Sequence, residues 1–195
     1  MFEKIKKSIS KLIQVNESDS YINKVLLAKI LILKNNEREI KKIEDVEFKV
    51  SSQFGEDGII QYLINMLPIK NKVFVEFGVE DYSESNTRFL LNNNNWSGLI
   101  IDGSESNISI IKAKDYYWKH DLLAIKKFIT KENIDDILSG YISDSNFDSD
   151  IGLLSVDIDG NDYYVWDSIK CIQPIIVICE FNSILGNNKE ITIPY

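Results

Sequence analysis

The sequence is poor in the residues that build most redox and metal sites, with two cysteines and one histidine among 195 residues. Cys171 and Cys179 make neither a CxxC pair nor a disulfide framework. With no polar activating neighbours, they read as buried free thiols rather than as a nucleophile. Positive charge is also short. Lys and Arg number 22 against 30 Asp and Glu, a net charge of −8 with a pI of about 4.8. Such a chain repels a phosphate backbone, which argues against nucleic acid as the substrate. No apolar run is long enough to cross a bilayer; the longest near the start, residues 25–33, is broken by Lys29. The opening MFEKIKKSISKL lacks an apolar signal core and a small-residue cleavage site, so cytoplasmic residence is the default expectation. No internal repeat is apparent.

What is present suits one globular domain with a true core. Phe2, Ile5, Ile9, Leu12 and Ile13 share one helical face, with Lys4, Lys7 and Lys11 elsewhere around it. A packing or homodimer-forming helix is favoured here over a membrane-surface one. Asp19 or Ser20 caps a second helix whose stripe is Ile22, Val25, Leu26, Ile30 and Leu33, followed by alternating charges to about Glu47. Residues 1–50 therefore read as a helical appendage and 51–195 as the main domain. Ile59, Ile60, Leu63, Ile64 and Leu67 form the apolar stripe of a helix expected within residues 51–67, with Glu56 and Asp57 suited to its positive end and Pro68 to stop it, and from Val73 the pattern alternates. Strands are expected at 73–77, 96–101, 125–129, 152–156 and 175–179. Helices are expected at 83–91, 107–114, 133–138 and 163–169, with an acidic loop at 140–150. This is the signature of an α/β fold with a mostly parallel sheet covered on both faces. The last strand is as apolar as a central one, yet little chain follows it, so C-terminal strands are expected to be missing by truncation.

Four of these strands end on a carboxylate: Glu76, Asp102, Asp157 and Glu180. Parallel sheets bind ligands beyond their carboxyl ends, so the four acids should share one rim. The turn after the first strand reads Glu76-Phe77-Gly78-Val79-Glu80-Asp81, with one glycine and three acids. A dinucleotide needs GxGxxG, so that backbone amides can approach its pyrophosphate, and this turn is hostile to phosphate. S-adenosyl-L-methionine carries a sulfonium and an ammonium, which acidic surroundings favour. Asp102 suits the ribose hydroxyls of either cofactor.

Several segments together resemble the FkbM-type group of bacterial class I methyltransferases, which often occur with capsule and surface-polysaccharide genes. They are SQFGEDGI (52–59), VFVEFGV (73–79), SNTRFLL (85–91), WSGLIIDGSESNI (96–108), FITKENI (128–134), LLSVDIDGNDYYVW (153–166) and IVICEFNS (176–183). The resemblance covers residues 51–195. It implies a Rossmann-like methyltransferase sheet with S-adenosyl-L-methionine as cofactor. It places Gln53 and Glu56 at the methionine end, Glu76 and Gly78 at the turn, and Asp102 on the ribose, with Gly103 and Ser104 following it. Phe128 and Ile129 would flank the adenine, and Asp157 is a further candidate for cofactor contact. Glu80 departs from the pattern, standing where such enzymes carry a second glycine, and the family's last two strands are absent.

Transfer to oxygen needs an in-line acceptor and a path for its proton. Asp157 and Asp159 lie two apart, as do Glu180 and Asn182 at the end of the next strand. Read as extended chain, each pair points one way. Two roles stay open for Asp157: a general base assisted by Asp159, or a ligand with Glu180 and Asn182 for Mg²⁺ or another divalent ion. DIDGND is not a calcium loop, since its glycine is fourth rather than sixth. His120 is a further candidate base, weighed against a surface role. Tyr163, Tyr164 and Trp166 read first as core packing. The expectation is a sugar O-methyltransferase taking a small-molecule or nucleotide-sugar substrate, a hydroxyl of a saccharide or nucleotide-linked sugar. Its rivals are an N- or small-metabolite methyltransferase and a non-catalytic binding module.

Overall fold

The structure, a computed structural model, describes residues 20–145, 149–181, 186 and 191–195. The helix expected over residues 2–13, and Asn182, lie outside the described residues. Five runs rich in Val, Ile, Leu and Phe form strands: β1 (Val73–Phe77), β2 (Ser97–Asp102), β3 (Leu122–Lys126), β4 (Asp150–Val156) and β5 (Gln173–Cys179). All pair in parallel, in the order β3-β2-β1-β4-β5. Parallel neighbours require crossovers. Helix α1 covers residues 20–36 and α2 covers Glu56–Met66. Then α3 (Arg88–Asn94) joins β1 to β2, and α4 (Glu105–Lys112) with α5 (Asp115–Lys119) joins β2 to β3. Helix α6 (Ile134–Ser145) leads to β4 and α7 (Asp162–Ser168) to β5. The result is a Rossmann-like α/β fold.

Every residue of β1 is buried, because helices cover both faces of the sheet. Alternate residues serve two cores. Phe74 packs with Ile60, Leu90, Ile100, Ile111 and Leu153 on one face. Val73, Val75 and Phe77 pack with Leu99, Ile134, Leu138, Leu154 and Val165 on the other. Strand order reverses between β1 and β4, so the two carboxyl ends part there and open a crevice.

Several expected boundaries move, each for a local reason. β3 starts at Leu122 instead of 125, since it alternates buried and exposed as an edge strand rather than forming an apolar run. Phe128 and Ile129 therefore lie in the loop beyond its end. Helix α3 begins at Arg88 rather than 83, because the amides of Asn86 and Thr87 are drawn to Glu76. Helix α5 was not expected, and α6 runs through Gly140 to Ser145 where an acidic loop was expected. Residues 37–47 form a turn and a short 3-10 helix at Ile43–Val46. On α7 the buried face is Asp162 and Val165, while Tyr163 and Trp166 are exposed, so they are not core. β5 is an edge strand among the described residues, with Ile175 exposed.

The largest reversal concerns α1. Ala28 sits in a small cluster with Val50 and Phe89, flanked by Tyr21, Val25, Ile32 and Phe48. Of the expected stripe only Val25 joins that contact; Ile22, Leu26, Ile30 and Leu33 are exposed. Both faces of this helix are apolar, and sequence periodicity cannot say which one meets the sheet domain.

Candidate functional site

The carboxyl end of β1 is shaped by a glycine that no other residue can replace. Gly78 holds φ at +67°, and a Cβ there would lie 1.7 Å from the Asp157 carbonyl oxygen at the end of β4. Its amide donates to the Ile101 carbonyl at 3.1 Å. The turn is thereby pinned between β2 and β4, at the point where the strand order reverses. Around it opens a cleft of about 1080 Å³ lined by Glu76, Gly78, Asp102, Asp157 and Glu180 together. The four strand-end acids singled out in the sequence thus share one cavity.

Their surroundings differ. Glu76 is buried, and both its oxygens are engaged: Oε1 by the Asn86 amide at 2.8 Å, Oε2 by the Thr87 hydroxyl at 2.5 Å and amide at 3.2 Å. Burial outweighs these donors and raises its carboxyl to about 7. Glu76 ties the β1–α3 turn to the sheet, and Asn86 in turn donates to Ser155 Oγ at 3.1 Å. Asp102 is also buried and organises the next turn. It accepts from the Glu80 amide at 2.9 Å, the Ser104 amide at 2.7 Å and Asn107 Nδ2 at 3.1 Å. A carboxylate offers about four acceptor sites, so it keeps capacity for a ligand hydroxyl.

The opposite wall is built on α2. Asp57 is buried, and its Oδ2 accepts the amides of Val50, Ser51 and Ser52, at 2.7, 2.7 and 2.8 Å. The Ser52 hydroxyl donates to the same oxygen at 2.9 Å. This clamp presents Gln53, Phe54 and Glu56 to the cleft. Glu56 Oε2 accepts from the amides of Phe54 and Gly55, each at 2.9 Å.

The fourth side is the most strongly acidic. Carboxylate oxygens of Asp157, Asp162 and Glu180 lie within 4.8 Å of one another. Burial, then the charges of Asp162, Asp159 and Glu80, raise the Asp157 carboxyl. Burial, then Asp157, Asp162 and Asp159, raise Glu180. Asp162 is also the anchor of the DIDGND turn, accepting from the amides of Ile158 at 2.7 Å and Gly160 at 2.9 Å. Asp162 is the residue that sequence reasoning passed over. Its position in DIDGND was visible, but only the turn reveals that it folds back beside Asp157.

Other candidates land as follows. Asp159 lines the cleft, but through a left-handed turn (φ +57°) rather than strand alternation, because β4 ends at Val156. Phe128 and Ile129 line it from the loop after β3, and Gly103 lines it beside Asp102. Ser104 does not line the cleft; it caps α4, its hydroxyl accepting from the Asn107 amide at 3.4 Å. His120 lies away from this cleft. It caps the end of α5 ahead of β3, pairs with Asn95 at 3.2 Å and does not line the cleft. A residue that precedes a parallel strand sits at the sheet's amino edge, opposite the rim. The cysteines are half-buried rather than fully buried, and burial pushes the Cys179 thiol up to about 11, which leaves it protonated and unreactive.

Among the described residues the lining has eight acidic residues and one cationic residue, Lys127. This donor set suits a cationic, hydroxyl-bearing ligand and disfavours a pyrophosphate. No protein-family model matches the chain, and no curated protein matches it.

Proposed function

We propose that this chain is an S-adenosyl-L-methionine-dependent O-methyltransferase acting on a hydroxyl of a saccharide or nucleotide-linked sugar. The observation that carries the reading is the switch-point cleft, in which the Gly78 turn stands between the buried acid Asp102 and the acidic group at Asp157. Asp102 holds the ribose hydroxyls, Gln53 and Glu56 face the methionine end, and Phe128 stacks on the base. When bound, the cofactor supplies an electrophilic methyl group. Asp157, whose carboxyl is raised by burial and by its acidic neighbours, accepts the proton of the acceptor hydroxyl. A second reading rests on the Asp157, Asp162 and Glu180 grouping, which offers hard oxygen ligands to Mg²⁺ and would acidify that hydroxyl instead.

Calorimetry with S-adenosylhomocysteine tests the cofactor assignment. We expect binding, weakened roughly 10- to 100-fold in Asp102→Ala by loss of about 1.5–3 kcal/mol of charge-assisted hydrogen bonding. NAD⁺ at the same concentration should give no heat. Absence of binding at millimolar S-adenosylhomocysteine, or tighter binding of NAD⁺, overturns the proposal. Chelation separates base from metal: activity that survives EDTA assigns Asp157 as the base.

A further inference from the structure

Helix α1 presents a second apolar face that its seat on the domain does not use. Ile22, Leu26, Ile30 and Leu33 follow the spacing i, i+4, i+8, i+11, and are 50, 56, 62 and 65% exposed. Leu27 beside them is 57% exposed. The opposite face, Tyr21, Val25, Ala28 and Ile32, is held against Val50 and Phe89. Arg88 strengthens this hold by stacking its guanidinium over the Tyr21 ring at 5.7 Å. The helix is therefore fixed to the domain with its outer ridge presented to whatever lies outside.

Charge decides what that is. Residues 20–36 contain Lys24, Lys29 and Lys34, all exposed, and no acid. At 100° per residue, Lys29 falls on one flank of the ridge and Lys34 on the other. The first 36 residues carry seven lysines against three acids, a net of +4, while the remainder carries −12, giving the chain's −8. A second copy docked ridge to ridge would set these lysine rows against each other. The sequence of residues 1–13 adds Lys4, Lys6, Lys7 and Lys11 against Glu3 alone. We infer that the α1 ridge docks on an anionic phospholipid surface, its aliphatic side chains entering the headgroup boundary and its lysines meeting lipid phosphates. No helix among the described residues is long and apolar enough to cross a membrane, so the attachment is peripheral. The body's negative charge, repelled by such a surface, would turn the rest of the domain away from it.

Co-sedimentation of the full chain with vesicles tests this. The wild-type protein should partition onto phosphatidylglycerol/phosphatidylcholine vesicles and not onto pure phosphatidylcholine, and high salt should weaken it several-fold. Leu26→Glu/Ile30→Glu should reduce partitioning roughly ten-fold or more, and Lys29→Glu/Lys34→Glu by a similar order. Near-UV circular dichroism checks that both variants keep the wild-type fold, and both positions are solvent-facing. The inference is overturned if wild type ignores anionic vesicles or if both variants bind as wild type does, which would assign attachment to residues 1–19. A dimer that Leu26→Glu/Ile30→Glu dissociates likewise overturns it in favour of a second copy. None of these outcomes depends on cofactor binding.

Discussion

Glu80 holds φ at +48° directly after the glycine turn, a conformation that costs a residue with a Cβ about 1 kcal/mol. It persists because its amide donates to Asp102, which also receives the Ser104 amide and the Asn107 side chain. The departure from the glycine of the resembled family is thus met by backbone geometry that still suits glycine. Glu80→Gly should leave the turn unchanged and raise stability by about 0.5–1 kcal/mol, the relief of strain exceeding the added chain entropy. A urea midpoint reads this directly, and a clear loss of stability would mean that the Glu80 side chain is holding the turn. The sequence showed that Glu80 breaks a pattern; only the dihedral angle showed that the pattern's constraint remains.

Elements here are held by buried acids as much as by apolar faces. Helix α2 shows this: Asp57, its second residue, gathers three successive amides and a hydroxyl onto one oxygen. Asp57→Ala would leave those donors buried without partners, so a loss of about 2–4 kcal/mol is expected, with slackening of the loop bearing Gln53 and Glu56. Denaturant unfolding and limited proteolysis around residue 53 check it; a change below about 0.5 kcal/mol would show that water replaces the carboxylate. Asp57 was legible in the sequence only as an acid suited to a helix start. Elements whose pattern is one-sided were read correctly in kind, as with the Ile60 face of α2. The two-sided α1 and the short, aromatic α5 were misread or missed, because periodicity reports amphipathicity and not the neighbour that satisfies it.

Across the whole molecule, negative charge concentrates at the sheet's carboxyl rim, and this gives the fold a pH signature. Burial holds the Glu76 carboxyl near 7 against an ordinary value of 4.5, so the folded state retains this proton longer than the unfolded chain does. The contribution is complete below about pH 4.5 and is lost as pH rises through about 7. Asp157 and Glu180, also raised, act in the same direction. Relative to Glu76→Gln, the wild-type urea midpoint should therefore fall between about pH 5 and about pH 8. A constant difference between the two proteins would show that Glu76 is ionised throughout.

The chain's linear order was enough to establish alternating strands and helices, the parallel sheet and the carboxylates that end four strands, because strand ends and apolar runs are local properties. The strand order, the contact between Gly78 and the end of β4, the turn that swings Asp162 beside Asp157, and the displacement of His120 to the far edge all depend on residues distant in sequence. So does the outward face of α1. Periodicity marks which residues can be buried, whereas the crossing of distant strands decides which of them are, and that choice made the cleft.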